Sequence, residues 1–260
     1  MSTTAALQLE YTGERVVPGI TPEITFRESQ MRYAFAARFV PGRIVLDIAS
    51  GSGIGTDYLR RAGAVSCFGL DLNRPALRYA RLRYQLPHLA ACDATQLCLA
   101  SESVDVIVSF ETIEHLAEPG VFLLECERVL RPGGHFICST PNREITRWDQ
   151  ENPFHLAEMS IGDFAAQVRE VFSDCTLCGQ GPVHYPFYIV KKKVATALQT
   201  FHLKQWIKRR LRVPVDRICS EQEFADRNES PHYAVTPKLP RWPNRARYGI
   251  VLARKCGEQN

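Results

Sequence analysis

Short apolar runs alternate with longer amphipathic stretches along most of the chain. Ile44-Val45-Leu46 is closed by Asp47, and Val65–Leu70 is closed by Asp71. Leu89–Cys92 stops at Asp93, and the clearest run, Val104–Phe110, stops at Glu111. Runs of this length between turn residues predict buried strands. His135–Ser139, a strand beginning at Thr176–Gly179, and Tyr248–Ala253 complete the strand set. The amphipathic stretches predict helices near Thr56–Arg61, over Pro75–Tyr84 with proline in the first turn, over Val121–Leu130, and over Ile161–Val171. Arg131-Pro132-Gly133-Gly134 stops the third of these. Ahead of the first strand, a helix is predicted over Phe26–Phe39, ended by Pro41-Gly42. Residues 1–25 are irregular, with Thr12-Gly13-Glu14-Arg15 and Pro18-Gly19 as turn chemistry.

Strand–helix alternation predicts an α/β fold: a mostly parallel sheet with helices on both faces. Right-handed crossovers put the C-terminal ends of the parallel strands on one edge, where ligands bind in such sheets. Asp47, Asp71, Asp93 and Glu111 all follow strand ends, so they are expected to line one crevice. Residues 182–246 break the alternation with proline, basic and aromatic residues. They read as an insertion before the last strand, partly helical around Val194–Leu211. The expected organisation is an N-terminal lid and helix (1–42), a core (43–181), the basic insertion (182–246), and the last strand with its tail (247–260).

Composition changes this picture little. The 260 residues are 45% hydrophobic and 23% charged, ordinary for a globular protein. No apolar run approaches a membrane span, and the first residues lack a signal-peptide pattern, so a cytoplasmic protein is expected. The nine cysteines are scattered and read as reduced, mostly buried small hydrophobes. Cys175 and Cys178 have no second pair at zinc spacing and read as strand residues. The formal charge of +4 is mild but uneven. Lys191–Lys193, Lys204, Lys208, Arg209, Arg210 and Arg212 form one basic stretch, interleaved with Phe201, His202 and Trp206.

Candidate chemistry begins at Gly51-Ser52-Gly53-Ile54-Gly55, between a strand and a helix. Glycine there allows a tight turn and close backbone approach to a ligand. The third glycine comes one residue earlier than in the dinucleotide fingerprint, and no Lys-Ser/Thr follows as in a P-loop. Asp71, 20 residues after Gly51, can accept both hydroxyls of a ribose. Asp93 can accept from an adenine amino group, and Phe110 can border the base. The plain alternatives are a helix N-cap for Asp71 and a solvated turn for Asp93.

The segments Val45–Gly55, Gly69–Leu72, Cys92–Ala94 and Val129–Phe136 resemble class I S-adenosylmethionine (SAM)-dependent methyltransferases, continuously over residues 43–140. The resemblance implies a Rossmann-like, seven-stranded sheet with an antiparallel last strand. It implies SAM lying across Gly51, Ser52 and Gly53, with Asp71 and Leu72 at the ribose and Asp93 and Ala94 at the adenine edge. Phe110 would lie beside the base, while Asp47 would orient the loop and help hold the methionine end. Tyr11–Gly19 and Arg32-Tyr33 resemble, more loosely, bacterial methyltransferases of glycan and natural-product biosynthesis. That likeness implies a lid, with Tyr11, Arg15 or Tyr33 near the cofactor; an ordinary packed arm is the alternative.

SAM carries an activated methyl group, so the protein must place a nucleophile in line and remove its proton. If Phe110–Leu116 starts a helical turn, Glu111, Glu114 and His115 share a face. Two carboxylates and an imidazole suit Mg²⁺, Mn²⁺ or Fe²⁺ better than structural zinc. His155 follows the fifth strand and is a fourth candidate. The combination is similar to ubiquinone-pathway O-methyltransferases and to small-RNA 3′-terminal 2′-O-methyltransferases. By that resemblance Glu111, Glu114, His115 and His155 would bind a metal, Mg²⁺ or Mn²⁺, that lowers the pKa of an acceptor hydroxyl. Without a metal, His115 caps a helix and His155 acts as general base. The expected catalytic residues are therefore Glu111, His115 and His155.

The expected acceptor is a hydroxyl of a sugar, glycolipid or natural product. A 2′-hydroxyl of RNA is the alternative, with the Lys191–Arg212 stretch tracking phosphates. That stretch also fits an anionic membrane surface bearing a lipid-linked acceptor, or a plain solvated helix. A non-catalytic SAM-binding protein and, more distantly, a dehydrogenase remain open.

Overall fold

The computed structural model describes residues 9–149, 152–200, 220, 222–223, 233–241 and 244–257. Seven strands form one sheet in the order β3-β2-β1-β4-β5-β7-β6. They are β1 (Ile44–Ile48), β2 (Ser66–Asp71), β3 (Leu89–Ala91), β4 (Val104–Phe110), β5 (Leu130–Pro141), β6 (Asp174–His184) and β7 (Asn244–Arg254). β1 to β5 pair in parallel, and β7 enters antiparallel between β5 and β6. The order reverses at β1, whose neighbours are β2 and β4, so the crevice expected of such a sheet opens beyond the ends of β1 and β4. The seven-stranded, mostly parallel sheet agrees with the sequence reading, and so does the antiparallel last strand.

The helices follow the same pattern: α1 (Glu23–Ala36), α2 (Ile54–Arg61), α3 (Arg74–Tyr84), α4 (Pro119–Val129), the short α5 (Arg143–Thr146), α6 (Ile161–Val171) and α7 (Tyr185–Thr200). Most bury one face. Phe122, Leu123, Cys126 and Val129 of α4 and Phe164, Ala165 and Val168 of α6 fill one side of the sheet with Leu46, Ile107 and Phe136. Val45, Val106, Val108 and Ile137 face the other side, under Phe26, Tyr33 and Ala36 of α1. Alternate strand residues thus serve opposite layers, as the pleat requires. Cys175 and Cys178 lie in β6, the latter buried, as strand residues.

Two differences from the sequence pattern have local causes. α1 starts at Glu23, three residues early, because Pro22 fits the position before a helix and breaks nothing behind it. The helix of the insertion begins at Tyr185, nine residues before the expected Val194, running straight on from β6. Lys204–Arg212 with Phe201, His202 and Trp206 lie outside the described residues.

Candidate active site

The loop after β1 is built around two close approaches. Gly53 has φ +81°, and a Cβ there would stand 2.4 Å from the Ala80 Cβ of α3. Gly55 opens α2 beneath Tyr33, where a Cβ would stand 1.9 Å from the ring. The early third glycine is therefore explained by α1: it lets the Tyr33 ring reach Asp47. Tyr33 donates its hydroxyl to Asp47 Oδ1 at 3.1 Å, and the Thr56 hydroxyl donates to Oδ2 at 2.6 Å. Asp47 is fully buried, and burial raises its pKa to about 7, against the opposing pull of the Thr56 and Tyr33 hydrogen bonds. It ties α1 and α2 to the strand end. That corrects half of its expected role: it orients the loop, but a carboxyl sealed under Tyr33 and Thr56 is not placed to hold the methionine end.

Asp71 is half-buried at the end of β2. Its Oδ2 accepts the Gly51 N–H at 2.7 Å and its Oδ1 accepts the Asn73 N–H at 2.7 Å. The N-cap of α3 is Asn73, not Asp71. Asp71 thus braces the glycine loop, and each oxygen keeps a second lone pair for a ligand hydroxyl. Leu72 beside it is 69% exposed, an apolar surface next to a carboxylate. Asp93 is exposed; the Thr95 N–H and hydroxyl donate to its Oδ1 at 2.8 and 2.7 Å and lower its pKa. Ala94 is buried behind it. Two carboxylates, an exposed leucine and the glycine turn thus follow the ends of the first three strands, groups that can pair with hydroxyl, apolar and amino groups of a ligand. Phe110 packs edge-on to Tyr33, ring centroids 5.0 Å apart, so its observed partner is α1.

The N-terminal arm crosses this loop. The Ser52 hydroxyl donates to the Val16 carbonyl at 2.6 Å, and the Arg15 Cβ lies 3.6 Å from where a Gly51 side chain would begin. Leu9 and Val17 pack with Tyr11, Ala76 and Tyr79 against α3. The arm is packed, and it lies at the loop.

On the acceptor side the expected helical face does not form. Glu111 has φ +53° and precedes a single 3₁₀ turn, Ile113–His115, so it falls off the face of Glu114 and His115. A left-handed conformation at glutamate costs energy. Ser139 of β5 holds it there: the Ser139 hydroxyl donates to Glu111 Oε1 at 2.6 Å, and its carbonyl accepts the Glu111 N–H at 3.2 Å. Glu114 turns inward and is fully buried; its Oε2 accepts from the Thr140 hydroxyl at 3.3 Å and its Oε1 has no partner. Burial first, then the Glu111 charge, push its pKa well up. His115 and His155 do converge, edge to face at 4.9 Å. The third group with them is Glu14: the donor atoms of Glu14, His115 and His155 lie within 4.8 Å of one another. The four residues named for a metal, Glu111, Glu114, His115 and His155, therefore do not form one ligand set. The cause is the single 3₁₀ turn, which sends one glutamate to Ser139 and the other into the core. His115 does not cap a helix either: Glu118 precedes α4, and the His115 Nδ1 bonds the Phe154 carbonyl at 2.9 Å.

Sequence reasoning missed Glu14, which sits inside a turn motif more than a hundred residues before either partner. It also missed a buried polar cluster. Arg32 on α1 donates to Gln180 at 2.9 Å and lies 4.6 Å above the Tyr248 ring. Tyr248 donates to Glu28 at 2.8 Å. Burial alone would lower the Arg32 pKa, but the charges of Glu111, Tyr248 and Glu28 outweigh it and hold the guanidinium charged. Nothing in the local pattern EITFRESQMRYAFA marks that face of α1 as buried; only the distant partners explain it.

Residues 46–138 match the family of methyltransferase domains. A probable S-adenosylmethionine-dependent methyltransferase of Mycolicibacterium smegmatis is 39% identical over 160 residues, covering 60% of this chain and 62% of its own. A phthiotriol/phenolphthiotriol dimycocerosates methyltransferase of Mycobacterium tuberculosis is 37% identical over 115 residues, 42% of this chain and 43% of its own. The chain thus spans less than two thirds of the length of these relatives. The crystal structure of a SAM-dependent methyltransferase from Thermotoga maritima superposes with a TM-score of 0.59 at 15% identity, covering 89% of this chain and 91% of that one. Sheet order, glycine loop and matched segment together give this chain the Rossmann-like fold of class I methyltransferases, with residues 46–138 matching a methyltransferase domain.

Proposed function

We propose that the chain moves the methyl group of SAM to a hydroxyl of a sugar, glycolipid or other lipid-linked acceptor. The observation that carries this reading is the imidazole pair His115–His155 at the end of β4. Each ring has its Nδ1 engaged, one by the Phe154 carbonyl and one by Glu158 at 2.5 Å. A carbonyl can only accept, so His115 carries its proton on Nδ1 and leaves Nε2 with a lone pair; the Glu158 carboxylate orients His155 the same way. An alcohol needs such a base, because its hydroxyl is a weak nucleophile at neutral pH. When bound, SAM supplies the activated methyl. Asp71 would accept from its ribose, Leu72 would face the base, and Asp93 would accept from the adenine amino group. The loop Gly51–Gly53 would follow the cofactor backbone, with the arm closing over Ser52.

A lipid-borne acceptor is favoured by two observations. One relative is named for phthiotriol/phenolphthiotriol dimycocerosates. The first turns of α7 expose Phe187 at 66% and Val190 at 59%, three residues apart on one helix face, beside the exposed Lys191 and Lys193. Apolar residues flanked by lysines suit an anionic membrane surface. No helix among the described residues is long and apolar enough to cross a membrane.

The test is methyl transfer from labelled SAM to a panel of sugars, lipid-linked glycans, long-chain diols, catechols and RNA. Label on a hydroxyl of a sugar or lipid, lost in His155→Ala while SAM still binds, is the expected result. Label on RNA alone, or SAM binding with no transfer to any class, overturns it.

A further inference from the structure

We infer that Glu14, His115 and His155 form a site for one divalent transition-metal ion of the Mn²⁺, Fe²⁺, Co²⁺ or Zn²⁺ class, with the N-terminal arm supplying the carboxylate. The inference rests on the reading above and changes how the hydroxyl is activated: with an ion bound, the imidazole lone pairs would be held by the metal, and the metal would lower the pKa of the acceptor hydroxyl in place of a free base.

The donor set comes first. Glu14 Oε2 and His115 Nε2 are 3.6 Å apart, and the donor atoms of all three residues lie within 4.8 Å of one another. Metal–donor bonds of about 2.1 Å put neighbouring ligand atoms roughly 3 to 3.5 Å apart, so small side-chain movements close the site. Two imidazoles and one carboxylate favour Mn²⁺, Fe²⁺, Co²⁺ or Zn²⁺ over Mg²⁺, which prefers oxygen ligands. Three protein ligands leave positions for a water or for an acceptor hydroxyl.

The outer shell is the stronger argument. A metal-bound histidine usually gives its second N–H to a carbonyl or carboxylate, which fixes its tautomer and turns the other nitrogen to the ion. Both rings here do so, His115 to the Phe154 carbonyl and His155 to Glu158. Glu158 is itself fixed by the Thr146 hydroxyl at 2.7 Å. The third ligand is oriented too: the Asn152 amide donates to Glu14 Oε1 at 3.2 Å, leaving Oε2 towards His115. The backbone supports the same arrangement, for Leu156 and Ala157 both donate their N–H groups to the Glu114 carbonyl, at 2.8 and 2.9 Å, clamping the His155 loop to the His115 turn. Every ligand thus has a second contact that holds it in place. The set differs from the Glu-x-x-Glu-His set that the motif implies, because Glu111 and Glu114 are committed to Ser139 and Thr140.

Metal binding is tested without SAM or acceptor, so its failure is separate from failure of the methyl-transfer reading. The purified full chain, stripped with chelator, is titrated with Mn²⁺ and followed by electron paramagnetic resonance. One site is expected, displaced by Zn²⁺ or Co²⁺ and weakly by Mg²⁺. Glu14→Gln, His115→Ala and His155→Ala are each expected to weaken it at least tenfold, and Glu158→Gln by about ten- to a hundredfold. Glu111→Gln is expected to leave Mn²⁺ affinity unchanged. A measurement on the unmutated protein guards against misfolded variants: Mn²⁺ should broaden the ring resonances of His115 and His155 and spare those of His88 and His184. No saturable binding, or broadening that spares His115 and His155, overturns the site. Metal binding without methyl transfer to any hydroxyl would leave the site standing and remove the reading above; transfer that survives complete chelation would leave that reading standing and remove the ion's part in it.

Discussion

Tyr33 reaches Asp47 only because Gly55 has no side chain. In Gly55→Ala the new methyl would meet the ring at 1.9 Å, so the ring must leave and take its hydrogen bond with it. Overpacking and an unsatisfied buried carboxyl each cost about 1–3 kcal/mol. Denaturant unfolding should show a combined loss of about 3 kcal/mol, and a loss under about 0.5 kcal/mol would mean the ring relaxes freely. Asp47 also sets a pH dependence. Its folded pKa of about 7 lies above the ordinary carboxylate value, so folding retains a proton that the unfolded chain releases. Stability should therefore fall as pH rises from about 4 to about 7 and level off above that. Glu28, also raised by burial, adds in the same direction. Asp47→Asn should flatten that slope in denaturation midpoints measured at pH 5 and pH 8; an unchanged slope would mean another group carries it. Asp71 works differently, through a ligand. Replacing it with Asn would remove the charge proposed to accept from the ribose, and calorimetry should show SAM binding weakened about tenfold or more.

At the scale of elements, the sequence disclosed most where the physics is local. Val104–Phe110 and Ile161–Val171 have the bounds their apolar pattern predicts, because periodicity and flanking turn residues determine both ends. The edge carboxylates Asp47, Asp71, Asp93 and Glu111 were legible for the same reason: each ends a run. What could not be read depends on partners far along the chain. The turn at Glu111 looks helical by spacing, but Ser139 captures its side chain and its backbone. The N-terminal arm has the composition of a loop, and only the Val16 carbonyl on Ser52 and Glu14 beside His115 reveal what it joins. Ser52→Ala should loosen the arm by about 1 kcal/mol, since one neutral hydrogen bond is lost. Hydrogen exchange at residues 10–17 should quicken while exchange in β1 and β4 stays unchanged. Equal quickening in both would mean that Ser52 supports the whole fold instead.

Across the whole molecule, α1 joins the cofactor edge to the far side of the sheet. Tyr33 bonds Asp47 at β1, while Arg32, one residue earlier, bonds Gln180 in β6 and covers Tyr248 in β7. Arg32→Met would keep much of the packing but take the buried cation from beside Glu111 and one of two from beside Glu28, which keeps Arg247. Removing one partner of a buried charge cluster costs about 3–5 kcal/mol, and the thermal midpoint should fall accordingly. A midpoint unchanged or raised would show that apolar packing there is as good as the charge. The arm described at Ser52 has a further consequence. On the proposed reading the glycine turn would meet the chain's own Arg15 and Val16 on one side and a nucleoside on the other, sharing a single surface. Thermodynamic reciprocity then applies: if closing the arm tightens the hold on the nucleoside by some factor, the bound nucleoside tightens the arm by the same factor. The arm also carries Glu14, already within reach of the two imidazoles, so a ligand that steadies the arm would steady that carboxylate as well.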